Sequence, residues 1–266
     1  MTNGIAAHHP RTVAATRYVT PLREGGSLPA LVEADDDGLY VLKFRGAGQG
    51  PKALVAELIA GEALRACGVA VPEIVLVDLD PALGDAEPDP EIHDLIRASG
   101  GLNVGLDFLP GATAFSPVAG PVPDADLAAD VVWLDALLTN PDRTAQNPNL
   151  LGWHGRLWCI DHGAALYVHH TWRDRGAHAR RPFGRVRDHV LLPYASSIAA
   201  ADERLASMLT RSVLRSIAEA VPDDWLTVEP TVGSPSQTRG AYVEYLARRL
   251  EAPRPFVEEA DRARVA

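Results

Sequence analysis

The chain has 266 residues, of which 47% are hydrophobic and 23% charged, a composition typical of a globular protein with a substantial core. Its formal net charge of -10 argues against a general binder of nucleic acid or of anionic membranes, since both attract Lys and Arg. No apolar run approaches membrane-spanning length and the N-terminus lacks the apolar core of a signal peptide, so we expect a cytoplasmic protein without a membrane anchor. The two cysteines, Cys67 and Cys159, lie in apolar segments and are expected to be buried thiols.

The first hundred residues predict a flexible tail followed by a small lobe of antiparallel strands. The tail is expected over residues 1–15. Residues 17–45 alternate between β-favouring apolar runs and turns, of which Asp35-Asp-Asp-Gly38 has the strongest hairpin chemistry. Two further apolar runs, at 69–78 and 102–109, are also predicted to be strands.

A lysine within a strand and a glutamate on the following helix form the first candidate functional pair. Lys43 lies inside the apolar run Leu39–Phe44, where an ammonium group without a partner would be costly to bury. A helix is predicted over about residues 52–67, and it carries Glu57 fourteen positions after Lys43. This order and spacing are typical of the ion pair that positions ATP phosphates in kinases. The alternative is an edge-strand lysine that faces water and an ordinary surface glutamate.

A second group of polar residues lies in the segment Asn140–Gly163. It begins with Asp142 and Asn147 in the loop Asp-Arg-Thr-Ala-Gln-Asn, and Asp161 follows after a short hairpin strand. In phosphoryl-transfer sites, one Asp orients or deprotonates the acceptor hydroxyl, while an Asn and a second Asp hold the metal ions. We therefore predict Asp142 as a catalytic residue and Asn147 and Asp161 as metal ligands.

Taken in order, these motifs resemble those of the HipA-like kinases, atypical bacterial members of the protein-kinase-like superfamily. The resemblance covers roughly residues 18–215, and the last two motifs are also similar to those of phosphatidylinositol kinases. The motifs that carry it are Lys43, Glu57, Gly68-x-x-Val71-Pro72, Asp142-x-x-x-x-Asn147 and Ile160-Asp161-x-Gly163.

The chain departs from the usual kinase pattern at three points. Asn140-Pro141 stands where His-Arg precedes the catalytic Asp, and His162 replaces the Phe of Asp-Phe-Gly. A full G-x-G-x-x-G phosphate loop is absent from the sequence. These departures fit an atypical kinase and leave a degraded pseudokinase open.

The resemblance implies an α+β, two-lobed protein-kinase-like fold. A small β-rich N-lobe would span residues 16–111 and carry Glu57 on its helix, and a mainly helical C-lobe would span 112–266. After Asp124, a good N-cap, the spacing of apolar residues predicts a helix that leads into the catalytic loop. Beyond residue 200 a helical face is expected through Ile217, and a last helix over about 238–250.

The resemblance also implies an ATP- and Mg²⁺-dependent phosphotransferase, with Lys43 taking part in catalysis as well as binding phosphates. Phe108 and Leu109 would meet the adenine edge at the hinge between the lobes. In the turn before the second strand, Gly25 and Gly26 let the backbone approach a phosphate closely and Ser27 could donate to it, although a plain hairpin turn is as good an explanation.

The expected acceptor is a Ser or Thr hydroxyl of an unknown protein, with no direct nucleic-acid partner. The alternatives are a lipid or small-molecule kinase, a nucleotide-binding pseudokinase or interaction module, and an unrelated α+β domain with chance motifs. Two features stay open. Arg143 would hold the transferred phosphate or form a salt bridge within its loop, and the arginine-rich segment 172–182 would bind an acidic substrate or be a solvated loop.

Overall fold

The computed structural model describes residues 9–22, 28–48, 50–85, 87–118, 122–227 and 232–265. The protein is 44% helix and 19% strand, as the predicted α+β class requires, and its longer strands precede most of the helices. Five strands form a closed barrel in the order β1-β2-β3-β5-β4. They are β1 (Thr12–Pro21), β2 (Ala30–Ala34), β3 (Leu39–Lys43), β4 (Ile74–Leu79) and β5 (Gly101–Asp107).

The barrel corrects two predictions made for the start of the chain. Its strands pair antiparallel except for β1 and β4, which pair in parallel over Thr12–Ala14 and Leu76–Asp78 and close the barrel. The prediction of an antiparallel sheet is therefore wrong for this one pair of strands. Since β1 begins at Thr12, residues 12–15 belong to the sheet rather than to a flexible tail, and residues 1–8 lie outside the described part of the chain.

The predicted hairpin forms between β2 and β3. Asp37 adopts a left-handed backbone conformation with φ 61°, and the N–H of Ala34 donates to the carbonyl of Gly38 at 3.0 Å. The carboxylate of Asp36 accepts the N–H of Gly38 at 3.0 Å. Asp tolerates left-handed φ values and bonds to nearby backbone, which explains why this sequence turns here. The hairpin directs Lys43 to the end of a central strand.

Helix α1 (Pro51–Ala66) connects the barrel to the helical part of the molecule. Proline occupies its first turn, and it ends before Gly68, which has a left-handed φ of 80°. Every residue of α1 from Leu54 to Leu64 is buried, so the helix is covered on all sides. Its apolar residues share one hydrophobic core with helix α3 (Ala125–Leu138), while the barrel interior and helix α2 (Pro90–Ala98) form a separate core. The proposed division of the chain at residue 111 stays a prediction.

The rest of the chain is mainly helical and contains one small sheet. The sheet is formed by β6 (Thr113–Ala114), β7 (Leu150–Trp153) and β8 (Arg156–Cys159). The side chain of Asp124 caps α3 as expected, accepting from the N–H of Leu127. The helices after β8 are α4 (Arg175–Ala179), α5 (Ile198–Leu205), α6 (Arg211–Glu219), α7 (Asp223–Leu226), α8 (Pro235–Leu250) and α9 (Pro255–Val265).

Two helix predictions near the C-terminus need correction. The helical face expected through Ile217 is divided between α5 and α6, because Thr210 starts a new helix by accepting the N–H of Val213. Helix α9 was not predicted. Within the described residues, no helix has the length and apolar character needed to cross a membrane.

Gly105 allows the barrel interior to close. A Cβ atom added there would lie 2.6 Å from Cγ2 of Val77 and 2.9 Å from Cγ2 of Val75, both closer than packed carbon atoms can approach. We expect Gly105→Ala to lower the free energy of unfolding by about 1–3 kcal/mol through overpacking, as measured by urea denaturation. Gly152→Ala on β7 is the control, because its added Cβ would meet nothing closer than 3.6 Å. Equal midpoints for the two variants would contradict this account of Gly105.

Candidate active site

A cleft with a volume of about 1090 Å³ lies between the barrel and the helical part. The cleft brings together residues that are far apart in the sequence. Of the predicted site residues, Glu57 is fully buried and does not line the cleft. Gly25, Gly26 and Ser27 lie outside the described residues. The predicted site residues that line the cleft are Lys43, Phe108, Leu109, Asp142, Asn147 and Asp161.

Lys43 forms two short ion pairs inside the cleft. Its Nζ lies 2.6 Å from Oε2 of Glu57 and 2.6 Å from Oδ1 of Asp161, and the lysine side chain is only 11% exposed. Burial by itself lowers the pKa of Lys43, but the two carboxylates outweigh it and hold the pKa above its ordinary value. An ammonium group has three donors, so one N–H remains beyond these two bonds. Because β3 lies between β2 and β5, the edge-strand alternative for Lys43 is excluded.

Asp161 lies on the cleft side of this cluster, and its side chain is 39% exposed. Partial burial raises the pKa of its carboxyl, but the charge of Lys43 outweighs this effect and the pKa lies below its ordinary value. The backbone of Asp161 has a left-handed φ of 53°, a conformation that Asp adopts more readily than most residues. The carboxylate is therefore ionised and partly open to solvent.

Glu57 also holds the backbone that follows Asp161. Its Oε2 accepts the N–H of His162 at 2.8 Å, which ties α1 to the Asp161 loop. The imidazole of His162 is fully buried against α1, and its Cδ2 lies 3.7 Å from where a Cβ of Gly61 would be. Burial, and then the charge of Arg143, lower the pKa of His162 to about 3, so the ring is neutral. His162 is not among the described residues that line the cleft, which makes it a packing residue.

The loop around Asp142 is held by amide side chains. Oδ2 of Asp142 accepts from Nδ2 of Asn147 at 2.9 Å and from Nδ2 of Asn149 at 3.2 Å. Asn149 was not predicted as a site residue. It has a left-handed φ of 50°, and the signal for it in the sequence is an asparagine in a turn directly after Pro148. The two amides fix the orientation of the Asp142 carboxylate at the cleft.

The role of Arg143, which the sequence left open, is structural. Its side chain is fully buried, and Nε donates to Oδ2 of Asp135 at 2.6 Å. Its two terminal nitrogens donate to the carbonyls of Asn149 and Ile160 and to Nδ1 of His162. One guanidinium therefore joins the loop of Asp142 to the loop of Asp161 and is not placed to bind a phosphate in the cleft.

Asp135, on α3, is the centre of this buried network. It accepts from Arg143, from Nδ2 of Asn140 at 3.0 Å and from Nε2 of His189 at 2.9 Å. Because Nδ1 of His189 accepts the N–H of Leu191 at 3.0 Å, the ring proton lies on Nε2. Burial alone would raise the pKa of Asp135, but the charge of Arg143 outweighs it and the pKa falls well below its ordinary value. Sequence reasoning missed this network because His189 is 54 residues from Asp135.

A comparison with models of known protein families identifies the family of this chain. Residues 16–254 match the model of the HipA-like kinase family. The chain belongs to this family. None of the curated proteins compared with it matches in sequence.

Two solved kinase structures have a fold similar to that of this HipA-like kinase. The crystal structure of CtkA, a proinflammatory kinase of Helicobacter pylori, is 12% identical, with a TM-score of 0.54 over 96% of this chain and 98% of that one. The Golgi casein kinase with Mn/ADP bound is 13% identical, with a TM-score of 0.50 over 94% of this chain and 74% of that one. At these identities the likeness shows the fold alone, and it confirms the predicted two-lobed protein-kinase-like fold.

Proposed function

We propose that this HipA-like kinase transfers the γ-phosphoryl group of ATP to a Ser or Thr hydroxyl of a protein, with Mg²⁺ as the metal. The observation that carries the proposal is the position of Lys43, with Nζ 2.6 Å from both Glu57 and Asp161 at the wall of a large cleft. Phosphoryl transfer depends chiefly on positioning and charge neutralisation, so few residues suffice. The structural neighbour that holds Mn/ADP supports a nucleotide and a divalent metal here.

In this proposal Lys43 binds the α and β phosphates, and Glu57 holds Lys43 in place. The remaining N–H of the ammonium group is the donor for a phosphate oxygen. Phe108 and Leu109 line the cleft directly after β5, where their backbone groups would meet the adenine edge. The cleft volume of about 1090 Å³ lies just above the usual range for sites of small molecules and cofactors, which leaves room for a nucleotide. Gly25, Gly26 and Ser27 remain proposed phosphate contacts.

Asn147 and Asp161 would hold the metal ion. Mg²⁺ takes oxygen ligands and is usually bound through one or two carboxylates together with substrate phosphates. Both residues line the cleft, and Nδ2 of Asn147 donates to Asp142, which leaves the carbonyl oxygen of Asn147 as its ligand atom. Because Mg²⁺ sites commonly include substrate phosphates, the nucleotide would supply further ligands. The bound metal would neutralise charge on the transferring group.

Asp142 would accept a hydrogen bond from the acceptor hydroxyl and take its proton as transfer proceeds. Its carboxylate lines the cleft and is oriented by Asn147 and Asn149, and neither Lys43 nor Arg143 pairs with it. Two amides, rather than an ion pair with Lys43 or Arg143, therefore hold the carboxylate in place. This arrangement fits a group that orients and deprotonates an alcohol.

The decisive experiment is transfer of labelled γ-phosphate from ATP to host lysate, with Mg²⁺ and with EDTA. We expect a labelled protein band with Mg²⁺ only. Label that enters the lipid extract instead would replace the protein acceptor by a lipid. No label with Mg²⁺, while ATP still raises the melting temperature, would overturn the proposal in favour of a nucleotide-binding pseudokinase.

Replacing Lys43 tests how the nucleotide is bound. We expect Lys43→Met to weaken ATP binding about tenfold, because a charge-assisted contact to the phosphates is lost. Isothermal titration of ATP·Mg²⁺ measures the change. The chain's other lysine provides the control, since Lys52 does not line the cleft and donates to the carbonyl of His169 at 2.7 Å. Equal affinity for the wild type and for Lys43→Met would contradict the proposed role of Lys43.

A further inference from the structure

The segment between the Asp161 loop and residue 189 has a charge opposite to that of the whole chain. Residues 172–188 contain six arginines and two aspartates, a net charge of +4, in a chain whose formal net charge is -10. The positive charge of these seventeen residues produces a local electrostatic potential that favours acidic partners.

Three of these arginines are exposed and have no side-chain partner within the described residues: Arg173, Arg175 and Arg181. The other three pair with acidic residues, as Arg180 does with Glu251 at 2.6 Å. We call Arg173, Arg175 and Arg181 the arginine surface. They lie within nine residues of one another, on either side of or within the short helix α4. Their guanidinium groups remain available for carboxylates of a partner.

A cavity of about 410 Å³ adjoins the arginine surface, between α4 and α8. Arg175, Arg248 and the buried Trp172 line it together with two carboxylates, Asp174 and Glu244, and Nε of Arg248 pairs with Oε1 of Glu244 at 2.6 Å. The indole Nε1 of Trp172 is buried and has no hydrogen-bond partner. A Cβ added at Gly176 would lie 2.8 Å from Nη1 of Arg248, so this glycine makes room for the guanidinium.

Hydrogen bonds attach the two ends of the arginine-rich segment to the end of α3 and to the loop that holds Asp142. Before it, the N–H of Leu166, five residues after Asp161, donates to the carbonyl of Leu138 at 2.7 Å. After it, the N–H of Val190 donates to the carbonyl of Arg143 at 3.0 Å, and Thr144 forms a β-bridge with His189. The segment therefore borders the loop that holds Asp142, where a polypeptide acceptor would have to approach.

We propose that the arginine surface binds an acidic stretch of the protein substrate, rich in Asp or Glu, next to its phosphorylated Ser or Thr. This inference rests on the proposed function. The three exposed guanidinium groups supply the charge, whereas the adjoining cavity already holds the carboxylates of Asp174 and Glu244 and takes no part. A nucleic acid is a poorer fit, because the rest of the chain is strongly acidic and would repel a long polyanion.

The test compares two synthetic peptides with the same central serine, one flanked by Asp and Glu and one by Asn and Gln. Fluorescence anisotropy measures binding without ATP, and kcat/KM is measured with ATP·Mg²⁺. We expect the wild type to bind the acidic peptide about tenfold more tightly, with a preference that falls as salt rises. The triple variant Arg173→Gln, Arg175→Gln, Arg181→Gln should lose this preference in both assays.

A single exposed arginine on α6 provides the matched control. Arg215 has no side-chain partner within the described part of the chain, so Arg215→Gln makes the same charge change as Arg175→Gln at a distant element. We expect only Arg175→Gln to weaken binding of the acidic peptide. Equal binding of both peptides by the wild type, or equal losses in the two single variants, would overturn the inference. Selective binding through the arginines without any transfer would support the surface and count against the proposed function alone.

Discussion

Replacing Asp142 by asparagine is expected to lower the rate of phosphoryl transfer by a factor of about 10²–10⁴ while leaving the affinity for ATP unchanged. Asparagine keeps the shape of the side chain but cannot take the proton of the acceptor hydroxyl. The two amides that hold Asp142, from Asn147 and Asn149, can still donate to the new carbonyl oxygen. Lys43 pairs with Glu57 and Asp161 instead, so the phosphate contacts do not change.

Single-turnover transfer of labelled phosphate and titration of ATP together measure this split between rate and binding. Asp78→Asn, an exposed aspartate on β4, is the control for loss of a carboxylate elsewhere and should retain full activity. Transfer by Asp142→Asn at the wild-type rate would remove Asp142 from the mechanism. A parallel loss of ATP affinity would show instead that the loop had lost its structure.

Replacing Asp135 by asparagine is expected to lower the free energy of unfolding by about 3–5 kcal/mol, because it leaves the guanidinium of Arg143 buried without a counter-charge. Asp135 and Arg143 are at most 1% exposed at their side chains. Denaturation in urea at pH 7 measures the loss. The control is Asp130→Asn on the same helix, whose partner Arg204 is 42% exposed and whose pair is expected to contribute at most about 1 kcal/mol.

The stability difference between the wild type and Asp135→Asn should also depend on pH. The pKa of Asp135 is depressed in the folded protein, so its stabilising effect is fully present above the pKa of an unfolded aspartate, about 4. As pH falls below that value the effect is progressively lost, and the two unfolding free energies should converge. A difference that stayed constant from pH 7 to pH 3 would contradict an ionic role for Asp135.

The polar residues at and beside the cleft could be predicted because local patterns identify them. Lys43 interrupts an apolar strand, Glu57 follows at a fixed distance on a helix, and Asp142 and Asn147 lie in one short loop. The structure pairs Lys43 with Glu57, and it places Lys43, Asp142, Asn147 and Asp161 at one cleft. The roles assigned to them remain predictions until activity is measured.

The supporting residues could not be predicted because their partners are distant in sequence. Nothing local marks Asp135 among the apolar residues of α3, and its bond to His189 depends on how the chain returns to the catalytic loop. The parallel pairing of β1 with β4 also joins segments about sixty residues apart. Such contacts depend on tertiary packing rather than on periodicity or spacing.

The burial of α1 makes a displacement of this helix costly. Many kinases are switched off by swinging the glutamate-bearing helix away from the lysine. Here that movement would expose large aliphatic side chains, each stabilised by roughly 1.5–3 kcal/mol through burial, so the total is on the order of 10 kcal/mol. That is as large as the folding free energy of a typical domain. We therefore expect α1 to stay in place, so that Glu57 keeps Lys43 in position whether or not substrates are bound. The side chains in question are Leu54, Val55, Leu58, Ile59 and Leu64.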